Sequence, residues 1–334
     1  MSDVLFQVKD LKMHFYVGHE GLFVGKKKFI YALDGISFEI HKGETLGLVG
    51  ESGCGKSTVV RTASLLYKPT SGNVFLNGKD LTKLNKNEMF AARKDMQLVF
   101  QDPYSSLDPR MTTFEIIAEP MRIYKSRGLL QMSESEIQKR VEHLMELVGL
   151  SRFFKNRFPH EFSGGQRQRI GIARSLALRP QLILADEPVS ALDVSIQAQV
   201  LNLFKDIQKE MQLSYLFIAH DLAVIKYISD RIAVMYLGKI VETGGYKELY
   251  DNPLHPYTKA LLSAVPVPDP NVERKRERII LKGDVPSPDT QRAGCYFYDR
   301  CPQHMEKCKA THPRFFIPNA NEPTHSVACF LYEK

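Results

Sequence analysis

Residues Phe162 to Asp193 read FSGGQRQRIGIARSLALRPQLILADEPVSALD, and this stretch decides the fold. Its second half holds an apolar run from Leu182 to Asp186, which is typical of a buried parallel strand that ends in carboxylates. Its first half begins with a turn of small side chains at 163–166 and predicts a helix to about Leu178, stopping before Pro180. Such a helix start offers backbone N–H groups and a positive dipole end to an anion.

A glycine-rich loop follows a second apolar strand, which we predict at Thr45–Val49. Residues 50–58 read GESGCGKST and fit the pattern G-x-x-x-x-G-K-[ST] between that strand and a helix predicted to about Leu66. The glycines let amides converge on a phosphate, Lys56 can reach the β and γ phosphates, and the Ser57 hydroxyl suits Mg²⁺. We therefore expect nucleotide contacts from Gly50, Ser52, Gly53, Cys54, Gly55, Lys56, Ser57 and Thr58.

Taken together, these motifs resemble those of the ABC-type ATPases. Ser163-Gly164-Gly165-Gln166 matches the family's signature, LILADEP its Walker B segment and SALD its D-loop. The resemblance implies an α/β fold with a P-loop NTPase core, an antiparallel β subdomain and an α-helical subdomain at about 103–162. We expect residues 1–250 to form this ATPase domain. Within the helical part, one face is predicted to be buried at Ile137, Val141, Leu144 and Val148.

The same resemblance assigns the chemistry of hydrolysis. Glu187 would act as general base on the attacking water, and Asp186 would hold Mg²⁺ through water. Gln101 follows a strand predicted at 96–100 and matches the Q-loop glutamine, which contacts both metal and water. His220 follows a strand predicted at 215–219 and matches the switch histidine that contacts the γ-phosphate. We thus expect the catalytic residues to be Lys56, Gln101, Glu187 and His220.

Further nucleotide contacts are implied around the base and between two copies of the fold. Phe15 holds the place of the aromatic residue that stacks on adenine, although Tyr16 or Tyr31 could take that role. The signature residues Ser163, Gly164, Gly165 and Gln166 would close over a nucleotide bound to a second ATPase domain. Asp193, which we also predict to cap the following helix, would couple the two sites.

Length and charge limit the class of protein. The chain has 334 residues and a net charge of +7 that is spread along it, so we expect two domains and no binding of nucleic acid. No apolar run approaches the roughly 20 residues that span a bilayer, and the first residues do not resemble a secretory signal. We expect a cytosolic protein that binds peripherally to the cytoplasmic face of the membrane.

Four of the five cysteines lie near the C-terminus, at Cys295, Cys301, Cys308 and Cys329, with five, six and twenty residues between them. In the cytosol such thiols more often bind a metal than form disulfides. Structural zinc usually takes closely spaced cysteine pairs, which are absent here, whereas four thiolates are the usual ligands of a [4Fe–4S] cluster. Zinc, with a histidine such as His304, His312 or His325, and unligated thiols stay open as alternatives.

The C-terminal sequence resembles one branch of the ABC family. NPLHPYTKALLSAVP, GDVPSP and GCYFYDRCP are similar to the C-terminal extension of the oligopeptide/dipeptide permease ATPases, and closer to the second of their two ATPase subunits. The resemblance implies an extension at 251–334 whose cysteines hold an iron–sulfur cluster.

The implied function is ATP hydrolysis that powers import of dipeptides or oligopeptides. The implied partners are a second ATPase subunit, identical or not, two integral membrane permease subunits and, indirectly, an extracytoplasmic peptide-binding protein. Two alternatives remain at this point. A repair or translation ABC ATPase would normally carry a coiled-coil insertion or a second cassette, and an iron–sulfur redox protein would leave the ATPase motifs unexplained.

Overall fold

The computed structural model describes residues 4–19, 27–265 and 278–333. Within these ranges the chain forms two compact units, one built mainly from 76–219 and the other from 7–39, 46–75 and 220–333. The strands are β1 (Val4–His19), β2 (Lys27–His41), β3 (Thr45–Val49), β4 (Ser71–Leu76), β5 (Lys79–Asp80), β6 (Met96–Val99), β7 (Leu182–Asp186), β8 (Ser214–Ile218), β9 (Arg231–Tyr236), β10 (Lys239–Gly245) and β11 (Ser326–Val327). The helices are α1 (Lys56–Ala63), α2 (Lys86–Ala92), α3 (Thr113–Ser126), α4 (Glu134–Leu147), α5 (Gly164–Leu176), α6 (Val194–Met211), α7 (Leu222–Ile228), α8 (Tyr246–Asp251), α9 (Pro256–Ser263) and α10 (Glu306–Ala310).

The first unit contains a parallel arrangement of β6, β7 and β8. Leu182 of β7 lies opposite Met96 of β6 on one side and Ser214 of β8 on the other, so the carboxyl ends of the three strands share one edge. Every residue of β7 is buried. The strand therefore has the bounds and the two-sided burial that its continuous apolar run predicts.

Three helices of the same unit, α3, α4 and α5, pack against one another. The face predicted on α4 is confirmed, because Ile137, Val141, Leu144 and Val148 are fully buried. Thr112 caps α3 and Ser133 caps α4, each in a reciprocal capping box with a glutamate three residues later. Local capping and the apolar stripe thus account for this helical part.

The second unit contains β3, β9, β10 and β11 in that neighbouring order, and also β2, β1 and β4 side by side. β3 pairs with β9 in parallel, while β9 and β10 pair in antiparallel orientation. β3 leads directly into the glycine-rich loop and α1. The parallel strand therefore delivers its carboxyl end to the predicted phosphate-binding loop.

Two predicted helix ends lie too far along the chain. α1 ends at Ala63 rather than at about Leu66, because Leu65 takes a left-handed φ of 54°. α5 ends at Leu176 rather than at about Leu178, and Arg179, before the proline, has a φ of 54°. In the described ranges, none of the helices has both the length and the apolar character that crossing a bilayer requires.

Candidate functional site

The glycine-rich loop forms an open helix start in the second unit. Gly55, the residue before α1, has a φ of 106°, and a Cβ on it would lie 2.4 Å from the carbonyl oxygen of Ala32. Only glycine satisfies both constraints. No side chain caps α1, whereas Thr112, Ser133 and Ser163 cap α3, α4 and α5. The first amides of α1 can therefore serve an anion.

Lys56 lies inside this loop. Its ammonium donates hydrogen bonds to the carbonyl oxygens of Gly50 at 2.8 Å and Glu51 at 3.0 Å, and its side chain is largely buried. These bonds hold the positive charge at the centre of the loop, where a phosphate would bind. Ser57 and Thr58 follow in the first turn of α1, and Ser52 and Gly53 lie in the loop before it.

Cys54 contributes packing to the loop. The residue is buried, its sulfur lies 4.0 Å from the Lys56 ammonium, and burial raises the pKa of its thiol. A thiol with a raised pKa is a poor nucleophile.

The residue that sequence reasoning missed in this loop is Glu51. Its backbone N–H donates to the Tyr257 hydroxyl at 2.9 Å, and its carboxylate accepts two hydrogen bonds from Arg300 at 2.8 and 3.2 Å. Both partners belong to the C-terminal part of the chain, and no short-range pattern in the sequence connects them to the loop.

Two of the predicted catalytic residues meet in the first unit. The amide nitrogen of Gln101, just after β6, donates to the carboxylate of Glu187, just after β7, at 3.1 Å. The backbone N–H of Glu187 donates to the carbonyl of Ile218 in β8 at 3.1 Å, and its φ is 46°. A non-glycine residue in this left-handed conformation is uncommon, and such strain is often found at functional positions. Asp186, directly before Glu187, is buried.

The signature turn is a closed helix start in the first unit. Ser163 caps α5 by accepting from the Gln166 N–H, while the Gln166 side chain accepts from the Ser163 N–H. Gly165 is closely packed, because a Cβ there would lie 2.4 Å from a methyl carbon of Ile196 in α6, which would have to shift. Gly164 stands beside it in the first turn. The turn is thus held against the start of α6.

Asp193 caps α6, as the sequence predicts. Its carboxylate accepts hydrogen bonds from the Ile196 N–H at 3.0 Å and the Ser195 hydroxyl at 2.7 Å, and these bonds lower its pKa. The carboxylate therefore stays ionised at neutral pH.

Phe15 and His220 belong to the second unit. Phe15 is half-buried, with its ring edge-on to Tyr67 at 5.6 Å, while Tyr16 is more exposed. His220 is exposed and precedes Asp221, which caps α7. The roles of Phe15 and His220 stay predictions.

The four C-terminal cysteines line one cavity. Its remaining walls are mainly apolar and include Pro256, Phe297, Pro313 and Phe330. Burial raises the pKa of Cys295 to about 12 and that of Cys329 to about 11, and the neighbouring cysteines add to both shifts. The cavity therefore favours neutral thiols when no cation is present.

The donor set of this cavity is of the kind that a soft metal centre prefers, because four thiols line it. His304 bonds to the carbonyl oxygen of Cys301, and His325 bonds to the carboxylate of Glu242, each at 2.8 Å. However, no three His, Cys, Asp or Glu side chains in the described ranges are arranged to hold a metal ion. The open volume is about 10 Å³, room for about one water molecule, so a cluster would require the walls to move. The iron–sulfur cluster stays a prediction.

Comparison with protein families gives two matches. Residues 33–190 match the family described as ABC transporter, and residues 241–308 match the one described as oligopeptide/dipeptide transporter, C-terminal region.

Individual relatives are similar over nearly the whole chain. The oligopeptide transport ATP-binding protein AppF of Bacillus subtilis is 52% identical, over 99% of this chain and 98% of its own. The oligopeptide transport ATP-binding protein OppF of Escherichia coli is 52% identical, over 98% and 96%.

Solved structures share the nucleotide-binding part of the fold. The dimeric ATP-binding cassette MJ0796, in a post-hydrolysis state with ADP and phosphate, superposes with a TM-score of 0.63 at 32% identity, over 72% of this chain and 99% of its own. CbiO1 from Clostridium perfringens, part of the transporter complex cbiONQ, gives a TM-score of 0.62 at 26% identity, over 75% and 92%.

Proposed function

Because the chain belongs to the ATP-binding subunits of the oligopeptide/dipeptide permease family of ABC transporters, and hydrolyses ATP to power peptide import, we propose that its motifs act as follows. The observation that carries the proposal is the 3.1 Å hydrogen bond between Gln101 and Glu187 at the carboxyl ends of β6 and β7. Two strands thereby bring together an amide and a carboxylate that can orient and deprotonate one water molecule.

Glu187 is the general base in this proposal. Its backbone bond to Ile218 fixes the start of the side chain, and Gln101 orients the carboxylate. His220 contacts the γ-phosphate and completes the site.

The phosphate loop binds the triphosphate. The amides of 50–58 and the Lys56 ammonium surround the β and γ phosphates, and Phe15 stacks on the adenine. Mg²⁺ would be held by the Ser57 hydroxyl, the Gln101 amide oxygen and, through water, Asp186, which form the all-oxygen donor set that this hard cation prefers. When bound, the ion neutralises charge on the phosphates.

Hydrolysis takes place between two ATPase subunits. The signature residues 163–166 of one subunit close over the nucleotide on the phosphate loop of the other, and Asp193 couples the two sites. The dimeric state of the related cassette MJ0796 supports this arrangement. ATP binding would close the pair, and hydrolysis would reopen it.

Subunits of this family work with membrane permease subunits in importers, and the transported peptides are dipeptides or oligopeptides. We propose that the chain pairs with a second ATPase subunit and binds peripherally at the cytoplasmic face to two permease subunits. A peptide-binding protein outside the membrane would be an indirect partner. In this assignment residues 1–250 form the ATPase domain and 251–334 the extension.

For the cysteine cavity we propose a structural [4Fe–4S] cluster held by Cys295, Cys301, Cys308 and Cys329. The support is that all four cysteines line one mainly apolar cavity. A bound cluster would cross-link the tail. Anaerobically purified protein should contain iron and show the visible absorbance of an iron–sulfur cluster. A Cys308→Ser variant should lose the iron and the absorbance while still binding ATP. Zinc without iron would contradict the cluster.

The test of the catalytic proposal is Glu187→Gln. Removing a general base should lower ATP hydrolysis by about 10²–10⁴-fold and leave ATP binding intact. Both quantities are measurable on the assembled transporter, with hydrolysis followed as phosphate release and binding followed with a fluorescent ATP analogue. The exposed residue Glu210 provides a matched control, since Glu210→Gln makes the same chemical change far along α6. Turnover near the wild-type rate in Glu187→Gln would remove Glu187 from this role.

A further inference from the structure

The segment 295–301, which we call the strap, connects two cavity cysteines and is anchored to the core of the second unit at three points. The Tyr296 hydroxyl donates to Asp34 at 2.6 Å, and Phe297 is buried against the rings of Tyr236 and Tyr257. The third anchor is Arg300, whose guanidinium reaches Glu51. The first two anchors hold the backbone just before Arg300 against the core, which places the guanidinium near Glu51.

The pair between Arg300 and Glu51 has the geometry of a strong ion pair. Two guanidinium nitrogens bond to the two carboxylate oxygens at 2.8 and 3.2 Å, and the Arg300 side chain is only 9% exposed. A bidentate pair of this kind is directional as well as strong. Glu51 therefore has a fixed orientation, although it lies in a loop.

Glu51 is held on its other sides as well. Its N–H donates to the Tyr257 hydroxyl, and its carbonyl oxygen accepts from the Lys56 ammonium. Arg300 thus holds the side chain of the same residue whose carbonyl oxygen positions the lysine of the phosphate loop. A displacement of Glu51 would move the ammonium with it.

The charge of Glu51 gives the pair a second consequence. A carboxylate in a loop that binds a polyanion repels the ligand unless a cation neutralises it. Arg300 supplies that cation from a position 249 residues away in the sequence.

We propose that Arg300 and Tyr257 are positioning residues for ATP binding, and that the strap holds the phosphate loop in its binding conformation by clamping and neutralising Glu51. The inference rests on the proposed role of the phosphate loop. It makes the tail a determinant of nucleotide affinity in addition to whatever its cysteines bind.

The test measures the dissociation constant of a fluorescent ATP analogue on the full chain. Arg300→Gln should weaken binding about tenfold, since it leaves Glu51 charged and unclamped. Arg292→Gln is the matched control, because Arg292 pairs with Asp299 of the same strap and has no contact with the loop in the described structure. We expect the control to bind within about twofold of the wild type.

A double-mutant cycle separates the clamp from a general loss of structure. If the two residues act as a pair, Arg300→Gln combined with Glu51→Gln should lose much less than the sum of the single losses. Arg300→Lys keeps the charge without the planar guanidinium, so this variant should bind the ATP analogue with intermediate affinity. It replaces Arg300→Gln in the test if that variant does not fold. Wild-type affinity in the Arg300 variants, or additive losses in the cycle, would overturn the inference.

Lys56→Ala keeps the two proposals apart. It should abolish binding if the phosphate loop is the ATP site, whatever Arg300 does. Binding that survives Lys56→Ala would refute the site itself, whereas loss in Lys56→Ala with no effect of Arg300 would refute the clamp alone.

Discussion

The two helix starts that we assign to ATP, those of α1 and α5, use their first amides in opposite ways. α1 follows Gly55 and has no side-chain cap, whereas α5 is capped by Ser163 in a reciprocal box with Gln166. A helix start without a side-chain cap can offer backbone donors to a ligand, whereas a capped one has already committed some of them to the cap. α1 is therefore suited to hold phosphate within one subunit, and α5 is suited to stay stable until a partner's nucleotide reaches it.

The glycines at the two helix starts are required for different reasons. Gly55 is required by its own left-handed φ and by the backbone of Ala32, whereas Gly165 is required by the side chain of Ile196. Backbone cannot yield, but a side chain can take another rotamer. The α1 loop should thus tolerate change less than the signature turn does.

The largest expected effect is that of Gly55→Ala. The new methyl would meet the Ala32 carbonyl oxygen at 2.4 Å, so the loop has to open, and ATP affinity should fall by at least about a hundredfold. Gly53→Ala is the matched control, since Gly53 has a φ of 79° in the same loop but no atom within 4 Å of the added carbon. In Gly53→Ala, the left-handed backbone conformation alone should destabilise the loop by about 1–2 kcal/mol. If Gly55→Ala and Gly53→Ala bind a fluorescent ATP analogue with equal affinity, the close contact with Ala32 is not the reason that position 55 requires glycine.

Much of this contrast could be predicted from the sequence, because the motifs are local. The apolar run Leu182–Asp186 and the cap at Asp193 have the predicted bounds and contacts. Two features could not be predicted. The pair of Glu51 and Arg300 joins residues 249 apart, and the left-handed φ of Glu187 depends on its bond to the neighbouring strand β8. Local patterns determine elements, whereas the partners that orient a site come from tertiary packing.

A third helix start extends the comparison to pH. α9 is capped by a histidine, since the Nδ1 atom of His255 accepts from the Tyr257 N–H at 3.0 Å. Burial lowers the pKa of His255 to about 4; Glu242 opposes this shift, whereas His312 and Lys259 add to it. The cap needs a neutral ring, so protonation removes it.

The sign of the pH effect follows from linkage. The unfolded chain binds this proton at pH about 6.5 and the folded chain only at about 4, so stability falls as the pH drops through that window, by up to about 3 kcal/mol. His325 acts in the other direction. Burial opposes its charge, but the bond to Glu242 raises its pKa. Its contribution to the stability of the folded chain is therefore lost only as the pH rises. Urea unfolding at pH 7, 6 and 5 measures the slope. His255→Asn keeps a cap that does not titrate and should reduce the slope; part of the slope should remain, because burial also lowers the pKa of His312 to about 4. An unchanged slope would assign the whole effect to groups other than His255.

The smallest expected effect on stability is that of Ser163→Ala, which tests whether Ser163 only caps α5 or also contacts the nucleotide. Ser163→Ala and Ser133→Ala each remove a serine from a capping box, so each should lower the free energy of unfolding by about 1 kcal/mol. Only Ser163 is proposed to contact the nucleotide of the partner. A hydrogen bond to a charged group is worth about 1.5–3 kcal/mol, so ATP hydrolysis by the assembled transporter should fall about tenfold or more in Ser163→Ala. Ser133→Ala should leave that rate within about twofold, because α4 has no part in the proposed site. If both variants lose stability equally and hydrolyse ATP equally, Ser163 serves α5 alone, and the distinction between an open and a closed nucleotide-binding helix start fails.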